Sequence, residues 1–310
     1  MPKVFVTGGS GFLGKAILRQ VERGDLDWGV TVYSRDETLQ EQARKRYPFA
    51  RYILGDVRDL PRMRVAMDGH ELVVHAAAVK YIPEAEFNAA ECISVNVNGS
   101  SNVMEAARCC GVKRVVGIST DKAVQPVNTY GMTKAIMERL FQEEQQYHKE
   151  PEFVCVRYGN IVGSTGSVIP LFRKQEKEFG KVKITNPHMT RFWMGVDEAI
   201  AVIVRALTNL DSGSILIPPA RAANLLDTAR AATYKDVAVE VIGERPGEKR
   251  HELLLHHEES VRTRRHGTFV ELLPPGSPAT EEAFTIASHT PRYMISVVEL
   301  RELIEDAEKV

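Results

Sequence analysis

Residues 3–14, "KVFVTGGSGFLG", restrict the fold of this chain more than any other segment. A run of β-branched and aromatic residues stops at a glycine cluster, and a helical pattern, "GFLGKAILRQVERG" (11–24), starts inside that cluster. Gly8, Gly11 and Gly14 keep a GxxGxxG spacing. Glycine at such places allows a tight turn, close approach of the backbone to a ligand, and close packing of helix on strand. The first turn of the helix offers free N–H groups and the positive end of its dipole. Strand, turn and helix in that order predict a cradle for the pyrophosphate of a dinucleotide, with Ser10, Phe12 and Leu13 completing the loop.

The same alternation continues through the first half. "VTVYS" (30–34), "RYILGDV" (51–57), "LVVHAAA" (72–78), "RVVGIST" (114–120) and "EFVCVRYGN" (152–160) read as strands, separated by helical patterns near 36–46, 59–67, 86–110 and 130–148. Nearly continuous apolar strands between helices imply parallel βαβ units in a sheet covered on both faces. The predicted fold class is α/β, a Rossmann-type doubly wound parallel sheet with a smaller interleaved C-terminal substrate-binding lobe. Residues 1–162 form the expected nucleotide domain, with further elements from about 190–220, and 163–310 mainly the lobe. In that second part a helix after "GSTGSVIP", strands at "KVKIT" (181–185), "GSILIPP" (213–219) and "DVAVEVIG" (236–243), a helix at 196–207 and a closing helix in "ISVVELRELIEDAEKV" are expected.

Bulk properties remove several functional classes. A formal net charge of −1 gives no global field toward nucleic acid or an anionic membrane. No apolar run approaches the about 20 residues of a membrane span. A strand begins at residue 3, so no secretory leader is expected. Cys92, Cys109, Cys110 and Cys155 lack metal spacing and a CxxC pair, which suits free thiols in a reducing compartment. His256 and His257 adjoin Glu258 and Glu259, but adjacent side chains on a helix diverge, so no metal is expected. A soluble, cytoplasmic protein with no nucleic-acid or membrane partner follows. The basic stretch "VRTRRHG" (261–267) has no assigned task.

The second strand indicates which dinucleotide. NAD binders place an acid at its end, about 20 residues beyond the glycines. Here Ser34 and Arg35 stand there, and Asp36 comes too late. An arginine can pair with a 2′-phosphate, so NADP is expected over NAD. "GDVRD" (55–59) offers Asp56 for the adenine amino group and Val57 for its ring. Ala76, Ala77 and Ala78 leave room for the cofactor, and His75 is expected to line its path without catalytic work.

"STDKAVQPVNTYGMTK" (119–134) carries the chemistry. Tyr130 and Lys134 stand four apart and share one helix face. A nearby ammonium favours tyrosinate, making Tyr130 a base near neutral pH, and the same lysine can hold a nicotinamide ribose. With the glycine loop, this pair is similar to that of the short-chain dehydrogenase/reductase superfamily, in its extended branch. Asp121 and Lys122 add a second acid–base pair. Enzymes that only oxidise and re-reduce C4 of a sugar do not need it; dehydratases do, because the C4 ketone makes the C5 proton removable and the C6 hydroxyl needs an acid to leave.

Retaining 4,6-dehydratases carry Asp–Glu at this place, whereas Asp–Lys resembles the inverting UDP-N-acetylglucosamine 4,6-dehydratases (5-epimerising) of bacterial deoxysugar pathways. "HAAAVKYIPEAE", "RYGNIVGSTGSVIPLF", "MTRFWM" and "IGERPGEK" support the likeness over most of the chain. It implies that Tyr130, helped by Lys134, takes the C4 hydroxyl proton while Thr120 bonds the C4 oxygen. Lys122, with a proton affinity depressed by burial, removes the C5 proton, and Asp121 protonates the departing hydroxyl. It further implies a UDP-N-acetyl sugar held by Lys80, Asn160, Ser167, Val168, Arg191, Arg245 and Glu248, with the two arginines on the diphosphate, and a homo-oligomer, commonly a hexamer. A UDP-sugar 4-epimerase and a non-catalytic NADP-sensing regulator are the alternatives; the latter usually lacks the tyrosine–lysine pair.

Overall fold

The computed structural model describes residues 1–164, 166–235, 237–278 and 282–308. β1 (Lys3–Thr7), β2 (Gly29–Ser34), β3 (Arg51–Leu54), β4 (Leu72–His75), β5 (Arg114–Thr120) and β6 (Glu152–Tyr158) are parallel and ordered 3-2-1-4-5-6. Between them run α1 (Phe12–Arg23), α2 (Glu37–Arg46), α3 (Leu60–Met67), α4 (Ile82–Phe87), α5 (Ala89–Ile93), α6 (Gly99–Cys109) and α7 (Thr129–Tyr147). The strand order reverses between β1 and β4, the place where doubly wound sheets open a crevice beyond their carboxyl ends.

Both faces of this sheet are buried, as the unbroken apolar strands require. Val4, Val6, Val74, Val116 and Val154 face one way, toward Ile17 of α1. Phe5, Val73, Val115 and Phe153 face the other, toward Met63, Val103 and Phe141.

After β6 the chain alternates between sheet and lobe. The elements are β7 (Asn160–Ile161), α8 (Val168–Phe179), β8 (Lys181–Ile184), β9 (Thr190–Met194), α9 (Val196–Asn209), β10 (Ile215–Ile217), β11 (Ala222–Asn224), α10 (Leu225–Ala232), β12 (Ala238–Val241), β13 (Leu253–Leu255), α11 (His257–Ser260), β14 (Thr263–His266), β15 (Phe269–Leu272), β16 (Ile286–Ala287) and α12 (Val297–Glu308). β10 extends the main sheet parallel to β6, and α9 packs against β5 and β6. A third core of Ile169, Phe172, Val182, Trp193, Leu300 and Ile304 belongs to the lobe. Thr165, Asp236 and residues 309–310, which fall within expected elements, lie outside the described residues. No helix among the described residues is long and apolar enough to cross a membrane.

Several expected elements differ. The strands expected at 51–57, 72–78 and 152–160 end at Leu54, His75 and Tyr158, because the chain leaves the sheet there to form the crevice rim. The helix expected over 86–110 is three α segments with a π turn at Ser94–Asn98. In that turn the Asn96 side chain brackets Val79, accepting from its N–H at 2.8 Å and donating to its carbonyl at 2.9 Å. The unassigned "VRTRRHG" supplies β14, the edge of an antiparallel hairpin with β15. Its Arg264 pairs with Asp211 at 2.7 Å, and His266 with Glu271 at 2.7 Å.

A buried ion cluster fixes α7 to the sheet. Arg157 on β6 donates to Glu138 of α7 at 2.9 and 2.7 Å, and to Glu259 of α11 at 2.8 and 2.9 Å. Ser119 on β5 donates to the same Glu138 at 2.5 Å. Both carboxylates are engaged, which is the condition under which burying such charges is tolerable.

Candidate active site

A cleft of about 610 Å³ opens beyond the carboxyl ends of β1, β4, β5 and β6. Gly8, Gly11, Phe12, Leu13, Ala76 and Ala78 line one end. Thr120, Lys122, Tyr130 and Lys134 line the middle, and Lys80, Asn160, Ser167, Val168, Arg191, Arg245 and Glu248 the other end. Residues far apart in sequence therefore meet in one space.

The glycine loop meets the segment just after β4 in a way that only glycine permits. Gly8 has φ of +67°, and a Cβ there would lie 2.9 Å from both Cα and N of Ala77. Gly11 is the N-cap of α1 and brings no capping side chain, so the helix's first N–H groups face the loop. Ser10 is buried, and Gly14 is buried in the helix's first turn. This cradle suits a dinucleotide pyrophosphate.

Ser34, Arg35, Asp56 and Val57 lie beyond the cleft lining. The Ser34 hydroxyl accepts from Gln40 Nε2 at 3.0 Å. Arg35 is half exposed, 3.6 Å from Asp56 and 3.6 Å from Glu91. Arg58 grips Asp56 at 2.6 Å and holds its carboxyl below the usual range. Val57 is buried against Gly99. His75 does not line the cleft. It is fully buried, bonded to Thr7 Oγ1 at 2.8 Å and Ser100 Oγ at 3.0 Å, and desolvation pushes its pKa down to about 3, so it is a neutral core residue.

The candidate catalytic groups gather where β5 ends. Asp121 is wholly buried. Its Oδ1 accepts from Thr120 Oγ1 at 2.9 Å and from Lys122 Nζ at 2.9 Å, while Oδ2 has no hydrogen-bond partner among the described residues. An unsatisfied buried carboxylate oxygen is uncommon and calls for an explanation. Lys122 Nζ also donates to Asn160 Oδ1 at 3.3 Å and lies 3.9 Å from Glu252.

Two electrostatic expectations are overturned. Burial does press the Lys122 ammonium toward neutrality, but the Asp121 and Glu252 carboxylates outweigh it, and its pKa is raised instead. Tyr130 is also raised, to about 12, because desolvation and the Asp121 charge exceed the opposing Lys122 charge and Thr120 hydrogen bond. Lys134 behaves differently. Its Nζ sits 3.5 Å from the Met137 sulfur, and desolvation lowers its pKa to about 8.

The end of the cleft away from the glycine loop is built from loops pinned to α7. Asn128, the N-cap of α7, accepts from Gly131 N at 2.7 Å and donates to the Gly247 carbonyl at 2.8 Å, anchoring "ERPGEK" beside Tyr130. Ser167 is the N-cap of the twelve-residue α8, whose N-terminus borders the cleft. Arg191 on β9 spends one nitrogen on the Thr190 carbonyl at 2.8 Å. Glu252, which also lines the cleft, and its neighbour Lys249 escaped sequence reasoning: they sit in the charged run "GEKRHE", where no spacing distinguishes them from a solvated loop.

Comparison with known proteins agrees with this layout. The family described as "Polysaccharide biosynthesis protein" matches residues 4–274. The UDP-N-acetylglucosamine 4,6-dehydratase (inverting) of Campylobacter jejuni is 36% identical over 276 residues, 87% of this chain and 82% of that protein. A Rickettsia felis protein named UDP-glucose 4-epimerase is 37% identical over 84% of this chain and 79% of its own length. Among solved structures, Pen from Bacillus thuringiensis superimposes with a TM-score of 0.90 and 33% identity, covering 100% of this chain and 98% of Pen.

Proposed function

We propose a function from one premise, that the chain belongs to the polysaccharide biosynthesis protein family: it is a UDP-N-acetylglucosamine 4,6-dehydratase that inverts C5, an NADP-dependent hydro-lyase. The observation that carries this reading is the Asp121–Lys122 contact of 2.9 Å beside Tyr130, in the same cleft as the glycine loop. Its product is a UDP-2-acetamido-2,6-dideoxy-hexos-4-ulose for deoxysugar and polysaccharide synthesis.

Residues 1–162 hold the dinucleotide, with added elements from about 190–220, and 163–310 mainly hold the sugar nucleotide. Gly8, Ser10, Gly11, Phe12, Leu13 and Gly14 cradle the pyrophosphate. Ser34 and Arg35 take the 2′-phosphate of NADP, Asp56 and Val57 border the adenine, and Ala76, Ala77 and Ala78 floor the path to Tyr130 and Lys134. A nicotinamide held beside Tyr130 and Lys134 would supply the hydride chemistry, oxidation at C4 and reduction at C6. Tyr130 takes the C4 hydroxyl proton. Turning Lys134 from the Met137 sulfur toward the phenol lowers the cost of that step.

Its raised proton affinity leaves Lys122 an ammonium at rest, so it must shed a proton before it can act as a base. The proton on Nζ passes to Asp121 Oδ1 across their 2.9 Å contact, leaving an amine and a carboxylic acid. The amine takes the C5 proton, and the acid gives its proton to the C6 hydroxyl, which leaves as water. The pair thus returns to ammonium and carboxylate. Thr120 bonds the C4 oxygen meanwhile. A proton delivered to the opposite face of C5 inverts that centre. Arg191, Arg245 and the α8 N-terminus at Ser167 and Val168 hold the diphosphate, Glu248 the ribose, and Asn160 and Lys80 the sugar.

The name of the Rickettsia relative favours a second reading, UDP-glucose 4-epimerase. Incubation of the purified protein with UDP-N-acetylglucosamine separates the two. Dehydration gives a product lighter by one water that absorbs as an enone-like species in alkali; a C4 epimer of unchanged mass overturns the proposal. Exposed Phe87, Ile93, Met132 and Ile136 on α4, α5 and α7 support a homo-oligomer, with the hexamer as the family's form. Four free thiols suit the cytoplasm.

A further inference from the structure

Glu252 is a cleft residue with no part in the mechanism above. It precedes β13 in a segment far along the chain from Asp121 and Lys122, and only 3% of it is exposed. Its Oε1 lies 3.9 Å from Lys122 Nζ. Its Oε2 lies 3.7 Å from Lys249 Nζ and has no hydrogen-bond partner among the described residues. Lys249 is itself tied down, donating to the Val124 carbonyl at 2.5 Å. The Glu252 backbone is fixed too: its N–H donates to Ser288 Oγ at 2.8 Å, and its carbonyl accepts from Ser288 N at 2.9 Å. Rigid backbone and rigid neighbours place this carboxylate against the lysine by design of the fold, not by side-chain wandering.

We propose that Glu252 is a positioning residue for the elimination: held by Lys249, its carboxylate fixes the charge on Lys122 and so sets the pH at which the Asp121–Lys122 pair takes up the C5 proton. This rests on the dehydratase reading for its consequence, but the charge coupling stands on geometry alone. The charged and titratable groups facing the two side chains are Asp121 from the β5 end, Arg191 from β9, Tyr130 from α7 and Lys249 from the segment's own start. The adjacent His251 ring turns away to Thr190 Oγ1 at 2.9 Å. Burial, the largest influence, lifts Glu252 above the usual carboxylate range, while Lys122, Arg191 and Lys249 pull it back. Glu252 thus adds to Asp121 in favouring the Lys122 ammonium, and dehydration chemistry does not consume it.

The test reads Lys122 directly. In protein carrying 13Cε-labelled lysine, the Lys122 signal is the one absent from Lys122→Gln. In Glu252→Gln its titration midpoint falls by about one pH unit or more, since a negative charge near 4 Å is lost. In Glu252→Asp the shift is smaller. Lys249→Met, which removes a cation, moves the midpoint upward, and this opposite sign keeps the test decisive if Glu252→Gln folds poorly. The kcat–pH profile of dehydration moves with the midpoint, with little change in KM. An unmoved Lys122 midpoint in both Glu252→Gln and Lys249→Met overturns the proposal. Moved midpoints in a protein that never dehydrates UDP-N-acetylglucosamine uphold the coupling and defeat the dehydratase reading instead.

Discussion

A Cβ on Gly131 would lie 2.2 Å from the carbonyl oxygen of Lys122. The first turn of α7, which carries Tyr130, is thus docked directly on the turn that carries Asp121 and Lys122. The glycine between Tyr130 and Lys134 is the price of that contact. Gly131→Ala must push the helix off the turn, because the clash is with backbone that cannot rotate aside. We expect destabilisation of about 2 kcal/mol, in the range of overpacking. Dehydration falls further than stability explains, because Tyr130 moves relative to Lys122. Thermal unfolding and turnover measured on the same preparation check this.

Lys122→Ala and Asp121→Asn separate oxidation from elimination. Tyr130 and Lys134 are untouched, so each variant still oxidises C4, seen as the near-ultraviolet absorbance of reduced nicotinamide. Dehydration falls by about 10²–10⁴-fold, the usual cost of losing a positioned acid or base. Full dehydration by Lys122→Ala would refute its role.

Lys134 is buried with the Met137 sulfur as its contact, and its pKa is lowered to about 8. The sign follows: below about pH 8 the folded protein carries an ammonium that burial disfavours, and this penalty shrinks as pH rises toward the lysine's unfolded value. Lys134→Met in the cofactor-free protein therefore raises stability at pH 7, by on the order of 2 kcal/mol, and the gain fades as pH climbs above 8. The same variant loses activity. Chemical unfolding at several pH values checks the stability, and a gain independent of pH would contradict the assignment.

Arg35 should decide the cofactor. It is half exposed beside Arg58, and no acid occupies the end of β2. Arg35→Ala weakens NADP binding by about 10-fold, as expected for one charge-assisted contact, and leaves NAD nearly unchanged. Titration of both dinucleotides reads the difference; equal losses would remove the arginine from the 2′-phosphate.

What could be read in the sequence was local or strongly patterned. Buried parallel strands announce themselves as apolar runs, so β1 to β6 and the glycine loop were legible. Residues 119–134 hold Thr120, Asp121, Lys122, Tyr130 and Lys134 within one stretch, so the reactive cluster was legible too. The charge on Lys122 was not. Burial alone predicts depression; the reversal comes from Asp121 and then from Glu252, which reaches Lys122 only through the fold. The hairpin of β14 and β15 was hidden for a similar reason: Arg264 and His266 of β14 find carboxylates in Asp211 and Glu271 on other segments. β9, in "TRFWM", pairs with β7 and β11, both too short to signal themselves.

The central claim is that Asp121 and Lys122 act on the ketone that Tyr130 and Lys134 help to make. Turnover of UDP-N-acetylglucosamine in D₂O, followed by NMR of the product, tests it most directly. The account predicts a 4-keto-6-deoxy sugar with deuterium at C5 and inverted configuration there. A product with protium retained at C5, or a C4 epimer with its C6 hydroxyl intact, would contradict it.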